Sequence, residues 1–347
     1  MTAAPLPSAT RPAQADSQAP DPRRATLHAL LDEALCLAPE YGDGLSSHLP
    51  MALQALYALG ADAPRLKAFF DHYRARLEPV DQVAAPGFAA PELGQFEHFP
   101  IWRERYARRL QADGLDAVMR DSLPHLMTGA AGVAFHGLIR CAHAISSGHQ
   151  GELAAALAYW AARHQPVPCA RAVPMEFDEW VSGLVALARQ HGAAMPNRPL
   201  ITQSIDDWAR APGFNAIAGA LDAAKLPDVA RLAARLYTHT RNFTVLHVVT
   251  ASEAAHRLQQ WMEPPVQQAL VPALAAGCLA SSVLEDGRLQ TWLQTAPVGE
   301  APGWDQLVAL AVEQDDDHVI KLVEACRSLD QCHPDPVWRH TAARAVG

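Results

Sequence analysis

The sequence predicts an all-α protein built as one compact multi-helix domain, and three observations carry that prediction. Alanine and leucine dominate the text, apolar residues recur at i, i+3 and i+4, and alternating β-branched runs are nearly absent. Of 347 residues, 50% are hydrophobic and 19% charged, enough apolar text to bury a sizeable core.

The elements follow in order. The first 24 residues are rich in Pro, Ala, Ser and Gln and read as a disordered leader, with the helical domain spanning 25–347. Helices are expected at 25–38, 48–60, 63–77, 101–112, 115–121, 129–147 and 151–163, then at 176–192, 214–223, 227–238, 243–261, 265–283, 304–312, 316–329 and 336–345. The helix at 48–60 carries Pro50 in its first turn, where proline is tolerated, ahead of Met51, Leu53, Leu56, Tyr57 and Leu59. Paired with 63–77 it resembles the hairpins of helical solenoids, although no fixed-period repeat is present. Residues 80–100 hold Pro, Gly and three Phe and read as a long ordered loop; 163–177 is a second, proline-rich connection. In 129–147, Gly129, Gly132 and Gly137 lower helix propensity and imply a close-approach role. Three aspartates suit the N-terminus of the helix at 316–329.

Charge and cysteine usage exclude several classes. A net charge of −9 without a basic run argues against a nucleic-acid surface. No unbroken apolar stretch could span a bilayer, and the leader lacks the apolar core of a secretory signal, so a cytoplasmic location is the expectation. Six cysteines without a CxxC pair read as reduced thiols in helical text.

Sixteen histidines fall in two groups. Those beside charges or turns, such as His28, His72, His98 and His164, read as solvated. The others sit in small, apolar helical text. His48 opens the helix at 48–60. His136 and His143 lie seven residues apart, two turns, on one face. His247 sits in an almost wholly apolar run with Thr250 and Ala251 on its face, and His318 and Lys321 share a face at i and i+3. Singly, each such histidine reads as a satisfied core imidazole. On four separate helices, however, His48, His136, His247 and His318 make a candidate metal site, because neutral imidazole is the commonest metal ligand and bundles build sites from inward-facing side chains.

Competing motifs are weak. HExxH, a His-Asp dipeptide, GxGxxG, Walker A and GxSxG are all missing, and the single ExxH (Glu253, His256) falls short of a ferritin-like di-iron set.

The strings "SSHLPMALQALYALGA", "AFHGLIRCAHAI", "FTVLHVVTASEAAHRL" and "DDDHVIKLVEAC", in this order between about residues 25 and 330, resemble the questin oxidase-like family. That family includes fungal oxygenases acting on anthraquinone-type polyketides. The resemblance implies a helical, mononuclear non-haem iron enzyme that needs no organic cofactor. It implies metal ligation by His48, His136, His247 and His318 with Lys321, dioxygen as oxidant and a small aromatic or quinone substrate. His143 ranks behind the ligands, as a supporting or pocket residue. Among these positions no carboxylate is an obvious ligand, since Asp315 to Asp317 more simply cap their helix. Lys321 could supply an anion as a carbamate, which forms from the neutral amine that burial favours; the alternative is a lysine that snorkels to water or pairs with Glu324. Tyr57, Trp102, Phe135, Arg140 and Trp304 are candidates to line an aromatic pocket, with Arg140 binding a substrate phenolate or pairing with an acid. Two other functions fit the histidines less well: a zinc hydrolase and a non-enzymatic helical scaffold. A homodimer is compatible with the small apolar helices.

Overall fold

A computed structural model of the protein describes residues 21–80, 90–169, 172–294 and 299–347. In chain order the helices are α1 (Pro22–Ala34), α2 (Leu49–Leu59), α3 (Ala63–Arg74), α4 (Phe99–Asp113), α5 (Leu115–Leu126) and α6 (His136–Ser147). They continue with α7 (Gln150–Ala162), α8 (Phe177–His191), α9 (Ile201–Ala209), α10 (Phe214–Ile217), α11 (Leu226–Thr240) and α12 (Phe243–Leu258). The last are α13 (Pro264–Gln268), α14 (Val271–Ala280), α15 (Leu289–Gln294), α16 (Trp304–Val312), α17 (Asp317–Cys332) and α18 (Pro336–Val346). Among the described residues the one sheet is a short antiparallel hairpin, β1 (Glu40–Tyr41) against β2 (Leu45–Ser46), with Glu40 opposite Ser46. The all-α expectation is met. No helix among the described residues is long and apolar enough to cross a membrane.

Several boundaries differ from the sequence expectation, each for a local reason. The chain turns helical at Pro22, inside the expected leader, because Asp21 accepts the Arg23 N–H as an N-cap and Pro22 suits the first turn; the rest of that leader lies outside the described residues. Of the expected loop at 80–100, residues 81–89 are likewise outside, Phe96–His98 form a 3-10 turn, and Phe99 already belongs to α4. The run at 265–283 is broken into α13 and α14, with Pro272 near the start of α14 where its missing N–H is harmless. The run at 214–223 shrinks to the single turn of α10. Two further helices, α9 and α15, were not expected; they are nine and six residues long, too short for their apolar spacing to stand out.

One contiguous apolar core runs from Leu27 to Ala342, with Trp160, Trp180 and Trp338 wholly inside it. At its centre α2, α6, α12 and α17 form a closed ring: α2 packs on α6, α6 on α12, α12 on α17, and α17 back on α2. In α2 the side chains of Leu49, Leu53 and Leu56 are fully buried, and each such burial is worth about 1.5–3 kcal/mol. The hydrophobic effect therefore sets the ring, and the ring sets the site.

Candidate metal centre

Each helix of the ring brings a histidine at or near its N-terminal end. His48 is the N-cap of α2, His136 the first residue of α6, His247 lies in the opening turns of α12, and His318 is the second residue of α17. The imidazoles meet in the same cyclic order as their helices. Ring centroids lie 4.5 Å apart for His48 and His136, 4.9 Å for His136 and His247, 5.6 Å for His247 and His318, and 4.6 Å for His318 and His48. The structure therefore gathers all four sequence candidates at one point. His48, His136 and His247 are buried, and His318 keeps 21% of its side chain exposed.

Local structure fixes how each ring points. The β1–β2 hairpin turns at Gly42 and Gly44, both with positive φ, and delivers the chain to His48, whose N–H donates to the Tyr73 hydroxyl at 2.9 Å. The His48 Nδ1 meets Asp317 Oδ1 at 2.5 Å. His136 follows three consecutive left-handed residues, Val133, Ala134 and Phe135 (φ 45°, 55° and 68°), and its Nδ1 bonds the Val133 carbonyl. Residues 131–135 are therefore a tight turn and not part of a helix, as the sequence had suggested, and Gly129 closes a 3-10 turn ahead of it. Gly132 is required there, because a Cβ would lie 1.9 Å from the Arg163 carbonyl oxygen. In α12, capped by Asn242, the His247 Nδ1 bonds the Phe243 carbonyl at 2.8 Å.

These partners settle the tautomers. A carbonyl only accepts, so His136 and His247 donate Nδ1–H, and a neutral ring that does so carries its lone pair on Nε2. The Asp317 carboxylate imposes the same on His48. Burial keeps the rings neutral: it holds His48 and His136 well below the ordinary imidazole range and His247 down to about 3, with neighbouring positive charge adding to the effect.

Asp317 is the residue sequence reasoning undervalued. Asp316 does the capping, accepting from the His318 and Val319 N–H groups, while Asp315 pairs with Arg65 at the surface. Asp317 is buried, and its Oδ1 lies 3.0 Å from His318 Nδ1 and 3.7 Å from Lys321 Nζ, besides the bond to His48. His48, Asp317 and His318 thus offer ligand-type atoms within 4.8 Å of one another. Because the Asp317 oxygen faces the Nδ1 atoms and not Nε2, we assign it as the carboxylate that orients the imidazoles. Three aspartates in a row, where one suffices as a cap, were the available signal.

The donor set fits a metal ion. His136 Nε2 and His318 Nε2 are buried without a hydrogen-bond partner among the described residues, and an unpartnered buried polar atom is costly. Imidazole nitrogens from several helices are the ligand type a transition-metal ion takes in a helical bundle; among the described residues the atoms that lie within 4.8 Å of one another belong to His48, Asp317 and His318, with the His136 and His247 rings beside them.

Lys321 is only 2% exposed. It neither snorkels nor pairs with Glu324: its partner is Asp317, and burial brings its ammonium down to about 8 against the opposing pull of Asp317 and Asp316. His143 donates to Gln54 Oε1 at 2.6 Å and stands apart from the ring of four. Arg140 is buried in a bidentate pair with Glu152 (2.7 and 2.9 Å), so of its two expected roles the acid pair is present, while its Nη1 is buried without a partner among the described residues.

The aromatics named as pocket candidates each make contacts of their own. Tyr57 bonds Asp21, Trp102 stacks on Tyr106, Phe135 packs by Gly277, and Trp304 bonds Asp330. Besides Tyr73, whose hydroxyl holds the His48 N–H, an aromatic that reaches the site is Phe243, which sequence reading passed over. Its ring lies 4.7 Å from both His247 and His318, and the residue is 53% exposed, so it marks the side on which the cluster faces solvent.

Fold and site together define a helical protein with a buried four-histidine centre. The sequence profile of the questin oxidase-like family matches residues 45–218, half of the chain, and the protein belongs to that family. The matched segment contains His48, Arg140, His136 and His143; α12 and α17, with His247, His318 and Lys321, follow it. No curated protein matches the chain.

Proposed function

We propose that this protein is a mononuclear non-haem iron oxygenase acting with dioxygen on a small aromatic or quinone substrate of the polyketide type. The observation that carries the reading is the ring of four imidazoles with buried, unpartnered Nε2 atoms at His136 and His318. Its substrate class comes from the family to which the chain belongs. His48, His136, His247 and His318 would hold the iron. Iron bound there supplies the redox chemistry that lets dioxygen react with a closed-shell organic molecule.

The chain's own residues do the rest. Asp317 fixes His48 and His318 and offsets part of the metal's charge. Four helix N-termini face the cluster, and their partial positive charge favours an anionic substrate such as a phenolate. Phe243 offers a flat substrate a stacking surface at the solvent-facing side. Carbamylation of Lys321 would follow in two steps: the ammonium gives a proton to solvent, then the neutral amine adds to carbon dioxide, an N–C bond forms as one C=O pair moves to oxygen, and a second proton leaves the nitrogen for solvent, so that a buried cation becomes an anion. Labelled bicarbonate should then give a carbamate ¹³C resonance that Lys321→Met lacks.

The test is dioxygen uptake by iron-loaded protein presented with hydroxylated anthraquinones. Uptake that needs both iron and substrate supports the oxygenase. Hydrolysis by zinc-loaded protein without dioxygen uptake would replace it with a hydrolase, and no metal binding at all would leave a helical scaffold.

A further inference from the structure

The helices that carry the four histidines also share a second feature, at their other ends. Ten residues beyond each histidine stands a residue lining one surface cavity of about 350 Å³: Ala58 on α2, Ser146 on α6, Arg257 on α12 and Ser328 on α17. At 1.5 Å per residue, the cavity lies about 15 Å along the ring's axis from the histidines. Its mouth is open to water, since Ala58, Ser146 and Gln331 are exposed.

Charged groups are buried at its inner end. Glu253 and Glu324 are 3% and 6% exposed, and both bond the same guanidinium, that of Arg257. Arg257 also donates to Ser146 Oγ at 2.9 Å, and Ser328 Oγ to Glu253 at 2.7 Å. Glu324 Oε2 is buried without a partner among the described residues. Two carboxylates against one guanidinium leave an uncompensated negative charge in the interior, which a proton would cancel. Glu324 stands one turn beyond Lys321 on α17, and Gln54, which holds His143, lines the same cavity.

We infer that Glu253 and Glu324, joined by Arg257, hold a shared proton and form the proton store of the histidine site, filled from solvent through this cavity. The inference rests on the proposed oxygenase only for the use made of the proton; the store itself stands on the structure. As dioxygen adds to a phenol-type substrate, O–H bonds break and form, and a nearby group that lends and takes back a proton serves this even where no net proton is consumed. The pair would give up its shared proton toward the site and regain one from solvent through the cavity, with no net change in the protein. The charged or titratable neighbours are Arg257 and His143 from α12 and α6, and Lys321, Cys326 and Arg327 from α17; α2 contributes the uncharged Gln54. Burial raises the Glu253 carboxyl, with Arg257 opposing and Glu324 reinforcing the shift.

Infrared difference spectroscopy of the full chain against pH tests this without any substrate. Expected is a protonated-carboxyl C=O band that titrates as pH rises, shifts promptly on mixing into D₂O, and disappears in both Glu253→Gln and Glu324→Gln. No such band in the folded wild type, or one unchanged in both variants, overturns the store. A band that shifts only over hours in D₂O overturns the solvent route. In an active iron-loaded preparation, Glu324→Gln should bind iron as the wild type does while its turnover falls about tenfold and shows an altered pH profile. Equal turnover would overturn the functional link, and absence of iron would overturn the oxygenase without touching the infrared result.

Discussion

At the scale of single residues, the site works through what sits behind the imidazoles. Asp317 touches His48, His318 and Lys321. Replacing it with asparagine keeps the size but removes the charge and the strong acceptor. Loss of an orienting carboxylate of this kind typically weakens metal binding 10–100-fold. Asp317→Asn should show that loss in a chelator-competition titration with the fold retained, and unchanged affinity would demote Asp317 to a helix-start residue. The four histidines and Lys321 were legible in the sequence because a polar ring in apolar helical text has few innocent explanations when it recurs on four helices. Asp317 was hidden by its position, since any carboxylate at a helix start reads as a cap. The supports of His136 and His247 were invisible for a different reason: both are backbone carbonyls, which no residue type reveals.

At the scale of elements, the turn before α6 is the clearest departure from sequence expectation. Alanine and valine favour helix or strand, so nothing in "GAAGVAF" announces three left-handed residues in succession. Packing overrides propensity here: Gly132 lies against the Arg163 carbonyl and Phe135 is wholly buried. The strained turn places the Val133 carbonyl on His136. Ala134→Gly should therefore stabilise the protein by about 1 kcal/mol, since glycine adopts positive φ without the Cβ penalty. Thermal unfolding measures this, and a destabilised variant would show that the turn is not strained. Between α12 and α17 the deciding contact is Arg257. Arg257→Met leaves Glu253 and Glu324 buried without their cation and should cost about 3–5 kcal/mol in denaturant unfolding. The helix α9 escaped notice because it is short: Ile201, Ile205 and Trp208 do share one face, but nine residues give the periodicity little more than two turns in which to show.

For the whole molecule, the ring of α2, α6, α12 and α17 is what unites fold and chemistry. Its order cannot be read from composition, because sequence spacing shows which face a histidine lies on but not which helices become neighbours. The family match ends at residue 218, before half of the ring; the fold brings His247 and His318 beside the matched His48 and His136. Global stability should carry the signature of the buried histidines. In the unfolded chain each titrates near 6.5, whereas folding holds His48, His136, His143 and His247 neutral far below that, His247 to about 3. The folded state therefore binds fewer protons below pH 6.5. The stability these groups contribute is complete above 6.5 and is lost as pH falls toward 3. Denaturant unfolding of metal-free protein at pH 7.5 and pH 5 should show that loss, smaller in a His247→Gln variant; equal stability at both pH values would mean the rings are not held neutral.

The most direct single measurement is the metal content of protein purified without chelator, taken beside the His48→Ala and His247→Ala variants. About one iron per chain in the wild type, lost from both variants while each stays folded, is the expected result. A wild type free of metal, or variants that retain it in full, would contradict a centre built from four histidines.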